Sequence, residues 1–134
     1  MSIEAIIYAR LAATAGVTSL VSTRITPEAR SQGAVLPAII YSVSSDEAMQ
    51  TLGAMVGVKA EIEVVSIATT KKSALEIAEA VKASLERYVV TNTSIRVFQV
   101  LLLRTVGQYV APAAGESVGV FTQAGMYSVM YQNL

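Results

Sequence analysis

Glu61 and Glu63 are the two residues whose type and spacing could most readily support chemistry. They lie two positions apart in the alternating segment Val58–Ala68, VKAEIEVVSIA. Because side chains of a strand alternate between its faces, both carboxylates would project from one face. Paired carboxylates can share acid and base roles when their surroundings separate their pKa values. Nothing else in the sequence supplies such surroundings, so we favour a solvated strand face or ion pairs with a neighbouring subunit.

Other residue types on which enzymes and metal sites depend are missing. The 134 residues include no histidine and no cysteine, which removes imidazole catalysis, thiolate metal ligands and disulfides. The serines form no GxSxG motif. Gly53, Gly57, Gly115 and Gly119 do not have a phosphate-binding spacing. We therefore expect a protein that is not an enzyme and requires no cofactor or metal.

Arg96 and Arg104 are the most distinctive cationic residues. They lie eight positions apart in the strand-like segment Ile95–Val106, which is otherwise almost entirely apolar. Charges that extend from strand ends into solvent would give this pattern. Arginines that pair with Glu61 or Glu63 of a neighbouring subunit would give it as well, and the sequence does not separate the two interpretations.

Nucleic-acid recognition is not indicated. Tyr109, Tyr127 and Tyr131 could stack on nucleobases, but the formal net charge is zero and no run of lysine or arginine is present. Proteins that bind nucleic acid need a basic surface for the phosphates. We assign the three tyrosines to the core or to a subunit interface.

The composition favours self-association. Hydrophobic residues make up 53% of the sequence and charged residues 15%, whereas an average globular protein has roughly 25% charged residues. So few charges would leave apolar surface on a monomer, and exposed apolar patches mark association sites. An alanine- and valine-rich core of ordinary size is the alternative.

The N-terminal segment MSIEAIIYARLAATAG has only a superficial similarity to a signal peptide. Glu4 comes early and Arg10 interrupts the apolar run. No stretch reaches the roughly 18–20 apolar residues of a membrane span. We expect a soluble protein that stays in the cytoplasm where it is made and has no membrane partner.

Two helices and about four main strands must position these residues. Ser2 is expected to cap the first helix, with Ile3, Ile6, Ile7 and Leu11 as its buried stripe. The second helix is expected at Lys71–Tyr88, with Thr69 or Thr70 as its cap. Strands are expected at Ala38–Ser44, Val58–Ala68, Ile95–Val106 and Val120–Tyr131, with a brief one at Thr23–Thr26. The order predicts an α+β fold, in which an antiparallel sheet of about four main strands has two helices packed on one face, as a single domain of residues 1–134.

Two connections carry specific expectations. Asp46–Gly57 is unusually apolar for a connection, with Met49, Leu52 and Met55. We interpret it as a long hairpin connection whose apolar residues contact a neighbour, and folding back onto its own core is equally consistent. Gly107–Gly119, which contains Pro112, is expected to be a loop.

The segment Ile95–Val106 is apolar on both of its predicted faces. Strict alternation places Ile95, Val97, Leu101 and Leu103 on one face and Phe98, Val100, Leu102 and Val106 on the other. A strand that is apolar on both sides must be covered on both sides. We expect the helices to cover the first face. The second face is either a thin second core under the loops or a contact with a neighbouring subunit, and we favour the contact. The residues expected at subunit or partner contacts are Met49, Leu52, Met55, Glu61, Glu63, Arg96, Phe98, Arg104 and Tyr109.

Taken in order, these features resemble the small tail-completion proteins (tail terminator, tail-to-head joining) of long-tailed bacteriophages and prophages. The resemblance is carried by an N-terminal helix containing IIYARLAA, the pair Arg24 and Ile25, the strand LPAIIYSVSS introduced by Leu36-Pro37, the strand EIEVVSIA, the helix KKSALEIAEAVKASLERY and a last strand with Tyr127 and Tyr131. It spans nearly the whole length of the sequence.

The resemblance implies a structural virion protein that forms a ring, as a hexamer, on the head-proximal end of the tail tube. Such a ring would stop tube polymerisation and join the tail to the head. Its implied partners are further copies of itself, the tail tube protein and the head-connector or head-completion protein. Alternatives are another neck, head-completion or tube-like ring protein, or a non-viral oligomeric ligand-binding α+β domain.

Overall fold

The computed structural model describes residues 2–27, 36–51, 54–91, 94–112 and 119–133, without the side chains of residues 48–51 and 54–56. The helices are α1 (Ile3–Ala13), α2 (Ala15–Val21) and α3 (Lys71–Leu85). The strands are β1 (Ile25–Pro27), β2 (Ala38–Thr51), β3 (Ala54–Ala68), β4 (Val90–Thr91), β5 (Ile95–Val110) and β6 (Val120–Asn133). They form one sheet in the order β1-β2-β3-β6-β5-β4. The β1–β2 pair is parallel, and the other pairs are antiparallel.

The predicted α+β class is confirmed, but the count of elements is too low. The four main strands are present as β2, β3, β5 and β6, each of 14 to 16 residues. The sheet also has two edge strands: β1 of three residues, which overlaps the brief strand predicted at Thr23–Thr26, and β4 of two residues, which was not predicted. Helix α2 is a third helix. Elements as short as β4 and α2 carry too few residues to establish a hydrophobic period. The described fold therefore has a six-stranded sheet and three helices.

Helix α3 forms where its periodicity places it. The Thr70 hydroxyl caps it by accepting a hydrogen bond from the Ser73 amide. Ala74, Ile77, Val81 and Leu85 are buried at helical spacing. The helix ends at Leu85, three residues before the predicted end, and Arg87 follows with a positive φ of 64°. That left-handed conformation turns the chain away from the helix axis toward β4.

Helix α1 also forms as expected, with Ser2 as its cap and with Ile3, Ile6, Ile7 and Leu11 buried. The charged side chain of Arg10, on the same helix, is held by contacts within the protein. Its Nε donates to the Ser84 carbonyl at 2.9 Å, and its guanidinium lies 4.5 Å from the centre of the Tyr88 ring. This cation thus ties α1 to the C-terminal end of α3 through a hydrogen bond and a cation–π contact.

The alternation of side chains along β3 shows that the two faces of the sheet differ. Ala60, Ile62 and Val64 are buried beneath the helices, and side chains from all three helices join them in one hydrophobic cluster. Glu61 and Glu63 are half-buried on the opposite side, as the alternation predicts. We call these the helix-covered face and the helix-free face.

Strand β5 departs from strict alternation, and the predicted division of its residues between faces is wrong. Register shifts lie between Val97 and Gln99 and between Leu102 and Arg104. Each bulge adds one residue and inverts the alternation that follows it. Val100 is therefore fully buried with Ile95 and Val97 on the helix-covered face.

The expected contact face of β5 changes in membership as a result. Val100 and the half-buried Leu102 leave it, because they pair with Val129 and Tyr127 of the helix-covered face. Leu101 and Leu103, which strict alternation assigned to the covered side, are 40% and 47% exposed. Phe98 remains on the exposed side, at 38%.

In both hairpins the strands are longer, and the connections between them shorter, than predicted. Within Asp46–Gly57, β2 continues to Thr51 and β3 begins at Ala54. Within Gly107–Gly119, β5 continues through Val110. Glycine and polar residues mark these segments as breaks by sequence, but pairing with the partner strand supplies backbone hydrogen bonds that outweigh the local preference.

Substitution of the adjacent residues Val100 and Leu101 tests the bulge. Val100→Asp places a carboxylate in the core and should lower the free energy of unfolding by about 3–5 kcal/mol. Leu101→Asp, on the exposed side, should change it by less than about 1 kcal/mol. Chemical denaturation followed by circular dichroism measures both. A larger loss for Leu101→Asp than for Val100→Asp would show that the strand alternates without a bulge.

Candidate interaction surface

The helix-free face of β3, β6 and β5 is where the structure gathers most of the predicted contact residues. A shallow cavity of about 370 Å³ lies on it. Its lining has two charged residues, two uncharged polar residues and five apolar residues: Glu63, Arg104, Gln108, Thr122, Val65, Val106, Val110, Ala124 and Met126. The surface thus combines opposite charges with a mostly apolar floor, and exposed apolar area is typical of association sites.

Glu63 and Arg104 lie in one row across this face. Glu63 is opposite Met126 on β6, and Met126 is opposite Arg104 on β5. Two strand spacings of about 4.8 Å separate their Cα atoms. Glu61 lies in another row, with Ser128 and Leu101. The pairing of these charges with a neighbouring subunit stays a prediction, but the structure places both signs on the same face.

Met126 is fixed in this row by β2. The Ser44 hydroxyl donates to the Glu61 carbonyl at 3.1 Å and lies 3.7 Å from the Met126 sulfur. Ser44 sits at the register shift between Val43 and Ser45, where the bulge redirects its side chain across the sheet. This polar contact thus holds Met126 in the middle of the floor of the cavity.

Arg96 and Phe98 form a second group, near the start of β5. The Arg96 guanidinium lies 4.9 Å from the centre of the Phe98 ring, and both side chains are exposed. A cation held over an aromatic ring keeps its charge available while covering apolar area. The structure therefore keeps both predicted residues accessible, but places them apart from the Glu63 row.

Exposed apolar residues concentrate on β5. Of nine exposed large hydrophobic residues among the described part of the chain, six are on this strand: Phe98, Leu101, Leu103, Val106, Tyr109 and Val110. Leu101, Leu103 and Val110 were not among the predicted contacts. No local sequence signal distinguishes them, because their exposure follows from bulges and from a strand that extends past the helical layer.

Tyr109 packs against its neighbours while remaining half exposed. Its ring centre is 4.9 Å from that of Phe121. A Cβ atom at Gly119 would collide with the Tyr109 ring and the Val110 carbonyl. Glycine is therefore required for the close approach at this end of the β5–β6 hairpin, and Tyr109 is a packing residue with one accessible side.

Met49 and Met55 lie on the β2–β3 hairpin, where Met49 is opposite Gly57 and Gln50 is opposite Met55. Their side chains and all of Leu52 lie outside the described part of the structure. Strand β6 pairs with β3 only from Val58 onward. The hairpin therefore extends beyond the other long strands as a two-stranded arm.

The tyrosines of the helix-covered face stay protonated near neutral pH. Burial raises the pKa of Tyr127 far above its ordinary value, and Glu86 and Glu79 raise it further. Burial also raises the pKa of Tyr131, as does Asp46, whose Oδ1 accepts a hydrogen bond from the Tyr131 hydroxyl at 3.4 Å. Both shifts move away from neutrality, so these hydroxyls serve packing and hydrogen bonding.

The described residues contain no group of three or more His, Cys, Asp or Glu residues that could hold a metal ion. No single helix there is long and apolar enough to cross a membrane, and only α1 with α2, as a pair bent by 82°, meets the length and composition criteria.

Comparison with known proteins gives a family and a fold. Residues 5–101 match the family model described as tail completion protein gp17. Among solved structures, a chain from the "Virion of native gene transfer agent (GTA) particle" superimposes with a TM-score of 0.74 at 17% identity, covering 97% of this chain and 94% of that chain. No curated protein matches the sequence.

The pH dependence of stability tests the environment of Tyr127. Well below about pH 10, the ordinary tyrosine pKa, Tyr127 is protonated in both the folded and the unfolded state, and its ionisation does not affect stability. Above it the unfolded state loses the proton that the folded state keeps, so stability falls as pH rises. Tyr127→Phe should reduce that fall by about 0.5–1 kcal/mol per pH unit, less than the full value because solvent screens the site.

Urea unfolding between about pH 9.5 and 11.5 measures this slope. Tyr109→Phe, which removes the hydroxyl of a half-exposed tyrosine, is the matched control, and the reduction in Tyr127→Phe should exceed any reduction in this control. An unchanged slope in Tyr127→Phe would contradict the assignment.

A substitution at Phe98 tests the exposed surface of β5. Phe98→Lys should weaken self-association about tenfold or more by placing a charge in the contact, while leaving the unfolding free energy within about 0.5 kcal/mol. The control is Val89→Lys, which changes a 63% exposed residue outside β5. Sedimentation over a concentration series measures association. Equal behaviour of the two variants would remove Phe98 from the interface.

Proposed function

The chain belongs to the tail completion protein gp17 family, and we propose that it forms a ring on the head-proximal end of a phage tail tube. In this role it is a structural component of the virion, and its ring stops tube polymerisation and joins the tail to the head connector. The family match over residues 5–101 carries the proposal. The fold shared with a chain of a gene transfer agent virion supports a place in a phage-like particle.

The surface of the protein suits association. Six exposed large hydrophobic residues lie on a single strand, β5, and such a concentration marks a contact surface. A head-to-tail ring needs two different, complementary patches on each subunit. We propose that the helix-free face and the β2–β3 arm contribute to them, with Met49, Leu52, Met55, Glu61, Glu63, Arg96, Phe98 and Arg104 among the contact residues. Tyr109, which is opposite Phe121 near the end of β5, is a further proposed contact residue outside these two areas.

Six copies form the ring in this proposal, as the resemblance to tail terminators implies. Its partners are the tail tube protein on one side and a head-connector or head-completion protein on the other. Residues 1–134 act together as one domain. The membership of a structural virion family points to a role without catalysis.

Deletion of the gene from its phage tests the function. Tube polymerisation would lack its stop, so we expect overlong tails, or tails and heads that remain separate. Electron microscopy of the lysate measures tail length and joining. Complementation with the intact gene should restore normal virions, whereas a copy with an early stop codon should not.

Two results would overturn the proposal. Normal virions without the gene would show that the protein neither ends the tail nor joins it to the head. Complete tails of normal length with the protein located in the head would instead favour a head-completion role.

A further inference from the structure

In the part of the chain that the structure describes, the sheet has on each side a long edge with no strand paired to it. On one side, β1 pairs with β2 only as far as Tyr41. On the other, β4 pairs with β5 only at Arg96 and Val97, and the Arg87 amide donates to the Val100 carbonyl. Within the ranges that the structure describes, no strand lies beside β2 after Tyr41 or beside β5 after Val97. Each edge presents backbone donors and acceptors that pair readily with another strand.

The two edges carry opposite charges. Strand β2 includes Asp46 and Glu47 and no basic residue, whereas β5 includes Arg96 and Arg104 and no acidic residue. Opposite charges on facing strands stabilise a pair, and like charges destabilise it. The β2 edge therefore complements the β5 edge and not another copy of itself.

The strand directions are compatible with pairing in a ring. Strands β2, β3, β6 and β5 alternate in direction across the sheet. In a head-to-tail arrangement the β2 strand of the next copy would run opposite to β5 and continue the alternation. Antiparallel pairing of this kind is the more stable of the two ladder types.

The positions of the charges select a register. Glu47 is opposite Lys59 on β3, while Arg104 shares a row with Glu63, which is four residues further along β3 (63 − 59 = 4). A four-residue slide between copies brings Glu47 beside Arg104. An even slide keeps both side chains on the helix-free face, because strand side chains alternate with a period of two.

The same slide brings the two open edges together. Without the slide, the open part of β2 lies in rows Ala54 to Glu63 of β3. The open part of β5 is counted from Leu101, because the Arg87 amide already bonds to the Val100 carbonyl, and it begins at the row of Glu61. They would overlap only at the ends. Closed sheets are staggered, and in the eight-stranded TIM barrel the stagger is about one residue per strand, a value that would correspond to about four residues for the four long strands of one copy.

We propose that adjacent copies in the ring join by pairing the β5 edge of one copy with the β2 edge of the next, in the register that places Arg104 beside Glu47. The ring would then contain one antiparallel sheet that continues from subunit to subunit. This inference rests on the proposed ring and specifies how it closes.

A disulfide between positions 47 and 104 tests the contact, because the natural sequence has no cysteine. Within one copy these positions lie on strands three spacings apart, roughly 14 Å, which is too far for a disulfide. Particles assembled with the Glu47→Cys, Arg104→Cys variant should give, on mild oxidation, a ladder of linked subunits on non-reducing gels. The yield should exceed that of a Glu76→Cys, Arg104→Cys control, with one cysteine on the helical layer, by at least about tenfold.

Charge reversal gives a second readout. Glu47→Arg and Arg104→Glu should each lower incorporation into particles about tenfold or more, and the two together in one chain should restore it. A ladder no stronger than the control, or a double reversal no better than the single ones, overturns the edge pairing. Rings seen at tail ends in that case leave the proposed function intact, whereas normal virions without the gene would remove the function itself.

Discussion

A single helical layer covers only one face of a sheet whose four main strands are 14 to 16 residues long. The side chains of α1, α2 and α3 enclose Ile39, Ile62, Val64, Val97 and Val129 in one cluster. The opposite face receives no cover from the described helices, and the later half of β5 receives little. The apolar residues that composition alone assigns to an unknown surface are located there. The need to cover this area is the constraint to which the proposed assembly responds.

The sequence predicts those elements whose stability is set by burial against the helices. Helix α1, helix α3 and strand β3 have regular periods, and their predicted buried residues Ile7, Ile77 and Ile62 are at most 1% exposed. Strand β5 does not keep a regular period, because its two bulges invert the alternation of side chains. A bulge is stabilised by the partner strand, and no residue type between Val97 and Arg104 marks it beforehand.

The candidate surface was predictable in kind but not in detail. Glu63, Arg104 and Phe98 lie on the exposed side as predicted, since they belong to well-placed strands. Leu101 and Leu103 were assigned to the wrong side. The overall shortage of charge gave the correct expectation of uncovered apolar surface, but only the pairing register reveals that most of it belongs to one strand.

The arrangement of charge also bears on the symmetry of the assembly. A two-fold dimer through β5 would align two strands that each carry Arg96 and Arg104 and no acid, and one through β2 would align two strands that carry Asp46 and Glu47 and no base. Both bring like charges together. Pairing of unlike edges avoids this cost. Because such a pair uses the β5 edge of one subunit and the β2 edge of the other, each subunit keeps one unpaired edge for the next copy. Such an interface either closes into a ring or continues as a filament.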